Sequence, residues 1–405
     1  MNAKGLVVIC QQGLSDPLVA PLMLNYVSKL KERRPSLPVL FITEEPVGSK
    51  VPAALLQQLG ERGIRWKPLR YDVKGAQWLQ RFRNVLALVL AAGAFRLRTG
   101  PLWLVGYLSY AGTYALLLQW LGLGRGMVVC FEPHSRYMVE MGLWSPGSLK
   151  TRVTAWFEKA QMRHLKAVVV PTLAGFELAG SYSPKGRLRL HGITIDVEAA
   201  RFNGQQRTQR RSELGFRDET VLVYVGKFGG IYHSMDDYMD FLLAMHRADP
   251  AMRFMVITQA REVDRIRRHQ HFAQLSAVLR VFGPVPPEDL PGWLSAADIG
   301  VVAIPPTPAQ AFRTPVKTAH YWAAGLPVII AEGISDDHVL VAKDGTGIVV
   351  DDLPKQDASV LANRCTTLLA EDRAALRERC MAAAARYRGT DGMVELLEEV
   401  LFAAG

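Results

Sequence analysis

Hydrophobic and polar positions alternate along this chain in two rhythms. Short apolar runs (KGLVVIC, PVLFIT, LWLVGY, MVVCF and AVVVPT) are separated by stretches whose apolar residues recur at helical spacing, as over 19–33 and 53–62. Short buried strands that alternate with helices predict a parallel α/β sheet. The polar stretch FNGQQRTQRRS, residues 202–212, interrupts the pattern and reads as a linker or an exposed start to a second domain. Beyond it the rhythm restarts with VLVYVG, a helix from about Met235, RFMVIT, LRVFG, a helix over 290–297, IGVVAI, a helix after Pro315 and PVIIA. The final MVELLEEVLFAAG is an amphipathic helix. The pattern therefore predicts two doubly wound, Rossmann-like domains facing a cleft, with ligands at the carboxyl ends of the strands. The first spans 1–192, with the C-terminal helix 386–405 packing back on it, and the second spans 193–385.

A length of 405 residues suits two domains. Two apolar stretches bear on membrane contact. Residues 102–123 carry no charge, but three glycines and several hydroxyls divide them into a strand, a small-residue turn over 108–112 and a helix, rather than a membrane span. The preceding WLQRFRNVLALVLAAGAFRLR has an 11-residue apolar run between Arg81, Arg83 and Arg96, Arg98, too short to cross a bilayer but suited to its interface. Net charge is +10, yet residues 1–200 hold 25 Lys and Arg against 12 Asp and Glu, which leaves the remainder at −3. The basic excess thus belongs to the first half, where nucleic acid, an anionic membrane face or an acidic substrate could meet it. No nucleic-acid motif accompanies it. Trp78, Phe82, Phe95, Trp103 and Trp120 interleave with the arginines and suit core packing, sugar stacking or a lipid interface. Cys10, Cys130, Cys365 and Cys380 lack metal or disulfide spacing and read as buried thiols of a reducing compartment. With no signal-peptide pattern, a cytoplasmic location is expected, peripheral on the inner face of the membrane.

The most specific residues lie between 281 and 348: VFGPVPPEDLPGWLSAADIGVVAIPP, RTPVKTAHYWAAGLPVII and DGTGIVV. In this order they closely resemble the donor-domain signature of the family-4 retaining glycosyltransferases, the glycosyl transferases group 1. VLVYVGKFGGIYHSMDDYMDF is similar to that family's first donor-domain strand and glycine loop, HGITIDVEAARF to the start of its donor domain, and GLSDPLVAPLMLNYVSKL more loosely to its first loop and helix. The resemblance implies a GT-B fold and transfer of sugar, with retention, from a UDP- or GDP-sugar to a glycan or lipid-linked acceptor in cell-surface polysaccharide or glycoconjugate synthesis. It implies no cofactor and no obligatory metal.

Site residues follow from the same likeness. A diphosphate needs donors, which a helix N-terminus and ammonium groups supply. Thr314 as cap, Pro315 and Val316 in the first turn, and Lys317 form such a start, with Arg313 before them. Lys227 precedes the glycines 229 and 230 and Tyr232; Gly283 and Val285 mark the backbone expected to read the base. Gly13 and Ser15, with Asp16, form the first loop near the phosphates. His134, flanked by Glu132 and Arg136, occupies the place of a histidine beside the donor sugar. His134, Lys227 and Lys317 are the expected catalytic residues. Four positions depart from the family. His320 stands where a glutamate takes the ribose hydroxyls, Phe312 replaces the other glutamate, Lys227 replaces an arginine, and the second phosphate-binding lysine falls on Tyr232 or His233. The two lost carboxylates favour a second reading, a non-catalytic GT-B subunit that supports a partner transferase.

Overall fold

The computed structural model describes residues 4–16, 19–72 and 77–402. It divides into unit 1, residues 1–193 with 390–405, and unit 2, residues 194–389. In unit 1 the order is β1 (Gly5–Cys10), α1 (Asn25–Arg33), β2 (Val39–Pro46), α2 (Ala53–Glu61), β3 (Ile64–Tyr71), α3 (Gln77–Thr99), β4 (Leu102–Tyr107), α4 (Leu108–Trp120), β5 (Arg125–Val129), α5 (His134–Glu140), α6 (Leu149–His164), β6 (Ala167–Val170), α7 (Leu173–Ser181) and β7 (Arg187–Leu190). Unit 2 begins with α8 (Gly204–Leu214), β8 (Val221–Val225), α9 (Met235–Ala248), β9 (Arg253–Ile257), α10 (Ala260–Arg267), α11 (Phe272–Leu275) and β10 (Leu279–Phe282). It continues with α12 (Leu290–Ser295), β11 (Ile299–Val302), α13 (Val316–Ala323), β12 (Val328–Ala331), α14 (Asp337–Asp344), β13 (Gly347–Val350), α15 (Ala358–Leu369) and α16 (Arg373–Arg388). The last helix, α17 (Thr390–Phe402), returns to unit 1.

Both sheets are parallel, ordered β3-β2-β1-β4-β5-β6-β7 and β10-β9-β8-β11-β12-β13. Helices cover both faces of a parallel sheet, so its inner strands are apolar throughout rather than alternating. Every residue of β1 and β4 is buried. Each sheet reverses its strand order once, between β1 and β4 in unit 1 and between β8 and β11 in unit 2, and crevices at such points collect ligands.

Three local readings are corrected. The stretch 202–212 is no linker, since most of it forms α8, capped by the Asn203 side chain and closed by Gly215 in the left-handed conformation. Its inward face is polar, which hides it from hydrophobic periodicity. Arg207 and Arg211 reach the buried Asp298 at 2.7 and 3.2 Å, joined there by Arg373 and the Val221 amide at 3.1 and 2.9 Å. The small-residue turn over 108–112 is likewise helix, because the reversal is confined to Leu108, which takes a φ of 67° to start α4 directly after β4. The C-terminal segment is two helices, with α16 ending at Arg388 and Gly389 separating it from α17. Helix α17 packs on α1: Arg33 and Arg34 pair with Glu398, the Arg34 guanidinium lies 4.3 Å over the Phe402 ring, and the Trp103 indole donates to the Leu401 carbonyl at 2.8 Å.

Trp103 and Phe95 are core residues, Phe82 and Trp120 are exposed, and the side chain of Trp78 lies outside the described residues. All four cysteines are buried and unpaired. Among the described residues no helix is long and apolar enough to cross a membrane.

Removing the shared acceptor strands the inward-facing guanidinium of Arg211. Asp298→Ala is expected to lower the unfolding free energy of unit 2 by about 3–5 kcal/mol, read by denaturant titration. A loss under about 1 kcal/mol would show that water replaces the carboxylate freely.

Candidate functional site

In unit 2 the loops after β8 and β11 flank the strand-order reversal. The first runs through Gly226, Lys227, Gly229 and Gly230. Gly226 has a φ of 148°, and a Cβ there would lie 3.0 Å from both the Lys317 Nζ and the Tyr224 hydroxyl, so only glycine lets these groups approach the backbone. The Tyr224 hydroxyl donates to the Lys227 carbonyl at 2.5 Å and pins the loop. A tight turn follows, with the Gly229 amide donating to the His233 carbonyl at 2.9 Å.

Lys317, in the first turn of α13, enters this loop from the other side. Its ammonium lies 4.5 Å over the Tyr224 ring and 4.3 Å over the Tyr232 ring, while the Lys227 ammonium lies 5.9 Å from the same Tyr232 ring. Aromatic faces attract a cation but satisfy none of its three N–H donors. The Lys317 Nζ is buried without a hydrogen-bond partner among the described residues, and burial pushes its pKa down from 10.5 to about 7. Lys227, Tyr232 and Lys317 thus meet around the glycine loop.

The start of α13 differs from expectation in one respect. Thr314 does not cap it: Pro315 holds the N-cap position, which puts the Thr314 hydroxyl one residue too early, 3.3 Å from that of Ser335. Pro315 as N-cap has no side-chain acceptor to offer the first-turn amides of α13, which carry the positive end of the helix dipole. His320 follows Lys317 by three residues, and burial pushes its pKa down to about 4, so the ring is neutral near pH 7. His233 faces Asp352, 3.4 Å away, with its pKa lowered by burial against the opposing carboxylate. Phe312 closes the 3-10 turn Pro308–Phe312, and Arg313 follows it. Gly283 comes directly after β10, and Val285 packs against the core. Buried Gln310 had no signal in the sequence; its side-chain amide donates to the Ile231 carbonyl at 3.1 Å and its backbone carbonyl accepts from the Ser335 amide at 3.0 Å. It ties the loop after β11 to the glycine loop.

Unit 1 offers a separate polar pocket of about 490 Å³ at the carboxyl ends of its strands, lined by Gly13, Ser15, Asp16, Glu44, Arg81 and Asn84 among others. A Cβ at Gly13 would meet the Glu45 Oε2 at 2.6 Å. Glu45 is fully buried and its Oε1 accepts from the Leu14 amide and the Thr43 hydroxyl, both at 2.6 Å, so a buried carboxylate holds the first loop. Burial also raises the pKa of Glu44, against the opposing pull of the Tyr114 hydroxyl, which donates to it at 3.0 Å, and of Arg81 and Asn84. His134 is the first residue of α5, with Tyr110 and Trp144 rings edge-on at 5.0 and 5.4 Å. The adjacent Ser135 donates from its amide and hydroxyl to buried Glu158 at 2.9 and 2.5 Å. Desolvation nevertheless pushes the pKa of Glu158 up to about 7.

Residues 219–371 match the model of the family described as Glycosyl transferases group 1. No curated protein matches the chain. Among solved structures, the Anabaena protein HepE in complex with UDP is similar at 13% identity and a TM-score of 0.71, with all of both chains covered. Sucrose-phosphate synthase from Thermosynechococcus elongatus is similar at 18% identity and a TM-score of 0.71, covering 99% of this chain and 100% of that one. WaaG, a glycosyltransferase involved in lipopolysaccharide biosynthesis, is similar at 15% identity and a TM-score of 0.67, covering 98% of this chain and 100% of that one. The fold is GT-B, and the stretch that matches the group 1 family model lies in unit 2.

The depressed pKa of Lys317 has a signed consequence. Between about 7 and 10.5 the folded protein binds fewer protons than the unfolded chain, so this group makes stability rise with pH in that window, and charging it costs stability below. Lys317→Met should therefore melt no lower than wild type below pH 7 and show a shallower rise above it. Thermal melts of the two proteins across pH measure the difference; superimposable pH profiles would mean that the ammonium is not desolvated.

Proposed function

We propose that the chain is a glycosyltransferase that takes sugar from a nucleotide-diphosphate sugar whose diphosphate is held at the start of α13. The observation that carries this reading is the buried Lys317 ammonium, which lacks a hydrogen-bond partner among the described residues and lies beside the glycine loop at a helix start whose N-cap is Pro315. Water has been removed from a cation that no protein acceptor satisfies, and a diphosphate oxygen is the kind of group that would complete it. The group 1 domain over 219–371 supports the same reading, as does the similarity to HepE, whose structures include complexes with UDP and with UDP-glucose.

In this reading, negative charge grows on the departing diphosphate, and the first-turn amides of α13 with Lys317 and Lys227 stabilise it where it develops. Two ammonium groups and a helix dipole make a metal unnecessary. Transfer proceeds with retention, the departing phosphate taking the acceptor hydroxyl's proton on the same face, and the acceptor is a glycan or a lipid-linked sugar. The base lies against the backbone at Gly283 and Val285. His320, neutral, offers the ribose one donor and one acceptor where a carboxylate would offer two acceptors. That difference, with Phe312 in place of the second carboxylate, favours one alternative: a catalytically silent subunit that supports a partner transferase.

Calorimetric titration with UDP, GDP, ADP and CMP separates the two. UDP or GDP is expected to bind, and Lys317→Ala to weaken it by about ten- to a hundredfold, the worth of a hydrogen bond to a charged group. Binding that Lys317→Ala leaves untouched would remove the diphosphate from α13; no binding by any nucleotide would leave the silent-subunit reading.

A further inference from the structure

Helices α3, α4 and α6 follow β3, β4 and β5 and lie side by side on unit 1. A helix that covers a sheet of a soluble domain shows one apolar stripe inward and a polar face outward. Helix α3 has two apolar stripes. Leu88, Ala92 and Phe95 are buried, whereas Leu79, Phe82, Leu86, Leu90 and Leu97 recur at helical spacing on the exposed side, Phe82 at 67% and Leu97 at 90% exposure. Helix α6 repeats the pattern with Leu149, Val153 and Trp156, and α4 ends in the exposed Trp120, followed by exposed Leu121.

These residues form one surface. An almost wholly apolar groove of about 260 Å³ runs between α3 and α4, lined by Val85, Val89, Leu117 and Leu121 among others, and the Trp120 and Trp156 ring centroids lie 6.1 Å apart, which joins α4 to α6. Charge distinguishes what covers it. The three helices carry eight Lys and Arg (Arg81, Arg83, Arg96, Arg98, Lys150, Arg152, Lys159 and Arg163) and a single acid, Glu158, which is buried. Protein interfaces exclude charge from their centres and place both signs at the rim. Cations alone among exposed Leu, Phe and Trp suit a headgroup layer, with apolar side chains at the acyl boundary and basic stems reaching back to phosphate.

We propose that this α3–α4–α6 face docks unit 1 on an anionic lipid bilayer, with the groove between α3 and α4 taking an acyl chain. Arg81 and Asn84, near the start of α3, also line the polar pocket after β1, so docking brings that pocket beside the headgroups. If the transferase reading above holds, an amphiphilic acceptor reaches the pocket without leaving its membrane; the docking itself does not depend on that reading.

Flotation of the full chain with vesicles of phosphatidylcholine, alone or mixed with phosphatidylglycerol, tests the proposal. Wild type should rise with the mixed vesicles and stay down with phosphatidylcholine alone, and high salt should reverse most of the binding. Two triple variants at exposed positions, Phe82→Ser with Leu90→Ser and Trp156→Ser, and Arg83→Glu with Arg98→Glu and Arg152→Glu, should each lose about tenfold in partition. Unchanged melting temperatures and circular dichroism show that they fold. Wild type that ignores mixed vesicles, or variants that float as it does, would overturn the proposal. So would wild type that self-associates through this face, detected by light scattering and abolished by the serine variant, without flotation. Vesicle binding without nucleotide binding would instead reject the donor site on α13 and leave the docking face standing.

Discussion

Burying an ammonium group without a hydrogen-bond acceptor costs several kcal/mol, and folded proteins rarely tolerate it. At Lys317 the cost is partly offset by the faces of Tyr224 and Tyr232 and otherwise lowered by shedding the proton, which is why its pKa sits near 7. The surrounding architecture serves that arrangement. Tyr224 is a core residue of β8 that also anchors the Lys227 carbonyl, Gly226 leaves room for the ammonium, and Gln310 ties the loop after β11 to the glycine loop. In the proposed reading such a site is prepared for its anion in advance, so little reorganisation would accompany binding.

Unit 1 uses buried charge in the opposite sense. Glu45 is fully buried, yet it is satisfied by the Leu14 amide and the Thr43 hydroxyl, and it fixes the first loop. Glu158 does similar work at α5 by accepting both the amide and the hydroxyl of Ser135. The difference between a structural and a functional buried ion is whether the protein itself completes its hydrogen bonds.

Much of the architecture was legible in sequence because inner strands of parallel sheets are uninterrupted apolar runs. β1, β4, β5, β8 and β11 were read that way. The edge strands β3 and β7, IRWKPLRY and RLRL, set basic residues between apolar ones, are partly exposed and escaped the pattern. Helix α8 escaped because its inward face is arginine. The loop glycines, Lys227, Tyr232 and Lys317 lie in segments whose order along the chain resembles a known signature, and the fold brings them together. Tyr224, Gln310, Glu45 and Glu158 carried no such mark, since their roles depend on partners distant in sequence: Glu45 lies 31 residues from Leu14, and Gln310 lies 79 from Ile231.

The chain leaves unit 1 after residue 193 and returns at 390, so unit 2 is an insertion within unit 1. At the junction the Ile195 amide donates to the Arg388 carbonyl at 2.8 Å, which sets the two crossing segments side by side. During synthesis the inserted unit has all its residues before the host does. The face of α1 that α17 covers, with Arg33 and Arg34 awaiting Glu398, stays open until unit 2 has been made. Unit 1 therefore waits on unit 2 for its closing helix, and removal of α17 would leave a seven-stranded sheet with an unsealed flank for chaperones or proteases to find.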